Sequence, residues 1–297
     1  MNEFFLPEKL NEIVKKNREC PEIGFFGPNS HLWNNHKYAI RALCYPLAVI
    51  IINANQNIFN VITSYLSDPN ELVKHGLARQ KYSFNFIFGD LTTACNAAKT
   101  LHDIHAKLAI KDKEQIINAN NPELMLWVWA TIYYSSKKIN ELFLKEISFN
   151  EETYAEYKLL ALLSGVDEKI IPKTMEDFDK YFINSLNSTI KVSKKTKDYI
   201  NEMFDIPILE FILQKNPNKL LRILSNPINK LVKQFCIFVL PLSLTKAYDL
   251  YLTKNEQTKI NRTIKLIAFI HPLLPKRITI KSKVLELYNS LKIITQD

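Results

Sequence analysis

The sequence predicts an all-α fold, and three observations carry that expectation. Apolar residues recur three and four apart through most of the 297 residues, which is the period of one helix face. No run alternates apolar and polar residues for long enough to make a useful strand. Only 5 residues are glycine, and neither a GxGxxG nor a GxxxxGK phosphate loop is present, so a nucleotide-binding α/β fold has no motif behind it. No internal repeat and no clear boundary divides the chain. Residues 1–297 therefore read as a single helical domain.

Taken in order, Pro7–Lys16 reads as a short amphipathic helix. Cys20–Lys37 reads as irregular, because Pro21, Gly24, Gly27 and Pro28 break any period. Tyr38–Asn55 is largely apolar and reads as a buried helix, with Pro46 as a kink or as the first residue of a second piece. Pro69–Phe88 is the next helix, and Gly89-Asp90 ends it. Leu91–Leu108 follows. Pro122–Phe143 opens on a proline with Asn120 and Asn121 as cap candidates. It is apolar on two faces, as a central helix is. Ser148-Phe-Asn-Glu151 reads as a capping box for a helix that Gly165 ends. Thr174 caps another that runs to about Ser188. Beyond Pro207 the chain reads as helical pieces punctuated by Pro217, Pro227, Pro241, Pro272 and Pro275.

The helix Leu91–Leu108 carries the chemistry of most interest. Leu91, Ala94, Ala98, Leu101, His105 and Leu108 make one stripe, and His105 stands where a leucine is expected. His102 lies about 60° round the helix, at the edge of the stripe. An inward imidazole is either a core residue bonded to a carbonyl or a metal or haem ligand. The helix alone favours the core residue. His31, His36 and His271 sit in loop-like or proline-flanked stretches and read as surface residues.

The four cysteines are scattered, with no CxxC, and read as reduced residues of a reducing compartment, the cytoplasm. The first residues lack the order of a signal peptide. The longest apolar runs, Leu43–Ile52 and Phe235–Leu242, are far shorter than the ~20 residues of a spanning helix. The formal charge of +9 raises nucleic acid or a membrane surface as partners. The lysines are mostly dispersed among acids, so nucleic acid is the weakest reading. The cluster Lys191, Lys194, Lys195 and Lys197 reads first as a solvated helix end and second as a weak contact with anionic lipid.

Several short stretches, in order from about residue 24 to 278, resemble the MpaB-type and rubber-oxygenase (latex-clearing protein) catalytic domain. They are Gly24-Phe-Phe-Gly-Pro-Asn-Ser30 with Trp33, Arg41-Ala-Leu-Cys-Tyr-Pro46, Phe88-Gly89, and Ile104-His105. Ala119-Asn-Asn-Pro-Glu123, Trp127-Val-Trp-Ala-Thr131, Leu163-Ser-Gly-Val166 with Pro172, Leu240-Pro241 and Leu274-Pro275 follow. The resemblance implies a globin-like helical core around haem b, with the histidine of the Ile-His pair, His105, as the iron ligand. It also implies an oxygenase that uses dioxygen to cleave double bonds of an apolar, isoprenoid-like substrate. With the inward stripe, this shifts the balance at His105 toward the ligand.

Four positions depart from the family pattern. Tyr45 and Trp129 stand where it has histidines. His75 and Arg79 stand where it has an arginine and a threonine near the haem. Arg79 would then pair with a propionate and Tyr45 would donate a hydrogen bond. A catalytically degenerate helical protein of the same fold, binding haem or lipid without turnover, is the alternative these departures support. Arg41, opening an apolar helix, is expected to pair with an acid or a propionate.

Overall fold

The computed structural model describes residues 7–16, 23–65, 81–112, 115–205 and 219–291. Within them the chain is helical almost throughout. The helices are α1 (Glu8–Lys16), α2 (His31–His36), α3 (Cys44–Ile52), α4 (Gln56–Tyr65), α5 (residues 81–88) and α6 (Leu91–Lys107). They continue as α7 (Pro122–Phe143), α8 (Glu151–Leu163), α9 (Met175–Ser188), α10 (Lys194–Asp205) and α11 (Lys219–Val239). The last are α12 (Leu242–Tyr248), α13 (Lys254–Ile270), α14 (Lys276–Thr279) and α15 (Ser282–Ser290). The all-α class is borne out.

Helix α7 is the centre. Asn121 caps it, accepting from the backbone N–H of Glu123 and Leu124, and Pro122 opens it. It is buried on more than one side, including Leu124, Met125, Trp127, Trp129, Tyr133 and Ile139. It packs mainly against α3, and also against α8 and α13. An aromatic layer fills the space between α7, α8 and α9. Tyr133 meets Phe178 edge-on at 4.4 Å between ring centroids, and Trp129 stacks on Tyr133 at 5.7 Å. Such pairs add about 0.5–1.5 kcal/mol each beyond their burial.

Long-range polar ties close the fold. Trp33 Nε1 donates to Tyr288 Oη at 3.0 Å, and Tyr248 Oη donates to the Ile50 carbonyl at 2.8 Å. Lys281 N–H donates to the Lys37 carbonyl at 2.9 Å. Ends of the described chain are thereby fastened to its beginning and middle.

The structure departs from the sequence reading in several places. The stretch expected to be irregular contains α2, held by tertiary contacts. Ser30 caps it, and both carboxylate oxygens of Glu156, from α8, accept its first N–H groups. A carboxylate at that helix end is favourable. Helix α4, for which no expectation was made, follows α3. Helix α8 is capped by Asn150 with Thr153, not by Ser148 and Glu151. The Ser148 carbonyl accepts from Asn35 and Thr153 instead. A small hairpin is also present: Ala109–Asp112 (β1) pairs antiparallel with Gln115–Asn118 (β2), Ile110 opposite Ile117. Four-residue strands are too short to show alternation. Tyr65 Oη, which both donates to the Ala109 carbonyl and accepts its N–H, ties the hairpin down. Helix α11 runs through Pro227 instead of breaking there. Of the helix expected at Pro69–Phe88, residues 81–88 are described and helical.

Pro46 lies in the first turn of α3, directly after a 3-10 turn at Ala39–Leu43. Thr174 caps α9, and Gly165, at φ +91°, follows the end of α8.

Candidate functional site

Helix α6 begins at a tight backbone crossing. Asp90 caps it, its carboxylate accepting from Thr93 N–H at 2.6 Å. Gly24 adopts φ +67°, and a Cβ placed on it would lie 2.1 Å from the Gly89 carbonyl oxygen. Only glycine combines that backbone angle with that approach. The Gly24 run and the Phe88-Gly89 pair, distant in sequence, therefore meet at the start of the histidine helix.

The stripe on α6 is buried in its first half, at Leu91, Ala94 and Ala98. Its second half, with Leu101, His105 and Leu108, is half-buried, and Ile104 beside it is 39% exposed. His105 lies in the last turn, where the Leu108 N–H closes onto its carbonyl at 3.1 Å. His102 is half-buried as well, 3.7 Å from the Asp103 carboxylate. The contrast expected between the two imidazoles is thus softened, because α6 runs outward as it ends. Asn120 Nδ2 reaches the His102 carbonyl, joining α6 to the loop before α7.

Tyr45 sits in the first turn of α3, partly buried against the core. His75 and Arg79 lie outside the described residues. Trp129, at the place of a family histidine, is sealed in the aromatic layer with Nε1 donating to the Tyr157 carbonyl at 2.9 Å. Its role is packing.

A second polar group was not legible in the sequence. His36, expected at the surface, is partly buried, with Nε2 2.8 Å from Tyr157 Oη. Burial first, then the charges of Arg41 and Lys281, hold its pKa well below the ordinary value, so it is neutral. Lys281 is pushed down to about 8 by burial and by Arg41. Tyr157 is pushed up to about 12, chiefly by burial, with Arg41 opposing the rise. Arg41 is buried and meets neutral acceptors rather than an acid: the carbonyls of Asn35 and Ser136 at 3.0 Å and the Asn35 amide oxygen at 2.6 Å. It rivets α2, the 3-10 turn and α7 together. The signal in the sequence was slight: Ser30 as a cap, with His36 at the far end of the six residues that follow.

Fold and site together define an all-α protein with one chemically suggestive helix, whose apolar stripe contains a half-buried imidazole. The family model described as "ER-bound oxygenase mpaB/B'/Rubber oxygenase, catalytic domain" matches residues 33–269. That is well over half of the chain, and the chain belongs to this family. The matched stretch takes in α3 to α13, His105 included, and starts after the Gly24 run. No curated protein matches the chain, and no solved structure does. Among the described residues no helix is long and apolar enough to cross a membrane.

Proposed function

We propose that the chain is a haem b-dependent oxygenase that cleaves a double bond of an apolar, isoprenoid-like substrate with dioxygen. The family supplies the oxygenase class. The observation that carries the finer reading is the half-buried His105 between Leu101 and Leu108 on the apolar stripe of α6.

The residues present fit such a group by the chemistry of their donors. Among the described residues no three His, Cys, Asp or Glu side chains gather in the way a bare ion needs. A haem asks the protein for a single axial nitrogen, which one histidine supplies. When bound, the haem would supply the iron at which dioxygen is activated. The protein's part is to hold and shield it. His105 would offer one ring nitrogen and keep the other in a hydrogen bond that fixes the ring. Leu101 and Leu108 would keep water from the ring. Tyr45 would donate a hydrogen bond within the pocket, and Arg79 would pair with a propionate.

One observation favours a second reading, a haem- or lipid-binding protein of this fold without turnover. A buried tryptophan with no free polar atom stands at position 129, where the family pattern has histidine. Oxygen consumption by haem-loaded protein in the presence of an isoprenoid separates the two. Carbonyl products are expected from the oxygenase, and their absence with haem bound would establish the second reading.

A further inference from the structure

The end of α13, the 3-10 turn His271–Leu273 and α14 form one outward face with a mixed apolar and basic chemistry. Leu266, Phe269, Leu273 and Ile278 are 57%, 71%, 70% and 56% exposed. Leu266, Phe269 and Leu273 follow one another at spacings of three and four, so they share a side. Lys265, Lys276 and Arg277 are exposed among them. Between Gln257 and Leu285 the sequence has seven lysines and arginines and no acid, a charge of +7 against +9 for the whole chain. The charge excess of the protein is therefore concentrated on this stretch. A groove of about 900 Å³ adjoins it, with Phe269 and Leu274 in its wall and Lys37, Lys145 and Lys276 around it.

We propose that this face docks on an anionic lipid bilayer. The exposed apolar groups seek an apolar phase, and the exposed cations among them, Lys265, Lys276 and Arg277, select a negative surface. Protein interfaces deplete lysine and draw on tyrosine, tryptophan and arginine. Leucine, isoleucine and phenylalanine set among lysines are instead the composition of segments that lie in a membrane interface, about 5–10 Å deep. Lysine stems lie along the apolar surface while their ammonium heads reach the headgroups. From residue 191 to 205, the stretch that carries Lys191, Lys194, Lys195 and Lys197, no large apolar side chain is exposed, and Lys197 is paired with Asp249, so this cluster is not the docking face. The proposal does not depend on haem.

The test is sedimentation of the purified full chain with vesicles of phosphatidylcholine alone, or with about one lipid in three replaced by phosphatidylserine. Binding is expected to the anionic vesicles and to fall with salt. Phe269→Asp with Leu273→Asp should weaken it at least ~10-fold, and Lys276→Glu with Arg277→Glu should weaken it by a similar factor. All four positions are exposed, so both variants are expected to keep the circular dichroism of the parent. Lys194→Glu with Lys195→Glu should leave binding nearly unchanged. No binding to anionic vesicles, or equal loss in the Lys194/Lys195 variant, overturns the proposal. A dimer in gel filtration that Phe269→Asp with Leu273→Asp dissolves, without vesicle binding by the parent, overturns it in favour of a second copy on this face.

Discussion

Gly24 and Gly89, 65 positions apart in the sequence, are in backbone contact: a Cβ on the first would sit 2.1 Å from the carbonyl oxygen of the second. That contact fixes where α6, and with it His105, begins. Gly24→Ala is therefore expected to be costly twice over. It forces an L side chain to φ +67° at about 1–2 kcal/mol, and it overpacks the crossing at about 1–3 kcal/mol more. Gly165→Ala has only the first cost, since its nearest neighbour is Met125 Cε at 3.8 Å. Urea unfolding of the two variants checks the difference. Equal losses would mean that the crossing does not constrain the chain.

Tyr133 and Tyr154 share the aromatic layer but differ at the hydroxyl. Tyr154 Oη donates to the Pro172 carbonyl at 2.8 Å. Tyr133 Oη is buried and among the described residues has no hydrogen-bond partner. Tyr133→Phe should then be neutral or stabilising, by up to ~1 kcal/mol, whereas Tyr154→Phe should lose about 0.5–1.5 kcal/mol. Thermal unfolding of the two variants side by side gives the comparison, and a clear loss for Tyr133→Phe would show that its hydroxyl has a partner in solution.

His36 makes stability depend on pH. Its folded pKa lies below the unfolded value of 6.5, through burial and the neighbouring cations. The neutral ring is thus favoured in the folded state, and its contribution is complete above 6.5. As pH falls below 6.5 the unfolded chain takes up a proton that the folded chain refuses, and stability is lost. His271, lowered by burial, acts in the same sense. His36→Gln should flatten part of the fall in melting temperature between pH 7 and 5, leaving the His271 part. An unchanged slope would place the His36 ring in water.

Trp129 is a packing residue in this account. Trp129→Ala should cost about 3–5 kcal/mol. Trp129→His, which restores the residue type of the family pattern, should also destabilise. It gives up ring contacts with Tyr133 and Phe178 and the bond to the Tyr157 carbonyl. Denaturation midpoints decide this; a Trp129→His protein as stable as the parent would mean the layer tolerates a polar ring.

What the sequence made legible was local. Thr174 before α9 and Asn121-Pro122 before α7 state their helix starts within four residues, and both starts were found. Helix α2 and the hairpin were not, because their support comes from far away: Glu156 for the one and Tyr65 for the other. The site divides in the same way. The stripe that places His105 is written in the spacing of α6. The burial of His36 depends on Tyr157, Arg41 and Lys281, and no spacing along the chain reports that meeting. Asn150 rather than Ser148 caps α8 because the helix begins at Glu151, which puts the Asn150 side chain in reach of the Thr153 N–H.

The central claim is that His105 holds haem, and one measurement tests it directly. Purified protein is supplied with haem, passed through gel filtration, and examined by absorption before and after reduction and carbon monoxide, together with His105→Ala and His102→Ala. The account predicts a Soret band that shifts with carbon monoxide in the parent and in His102→Ala, and little retained haem in His105→Ala with its helical spectrum intact. A folded parent with no Soret band, or a His105→Ala protein that keeps haem while His102→Ala loses it, would contradict the account.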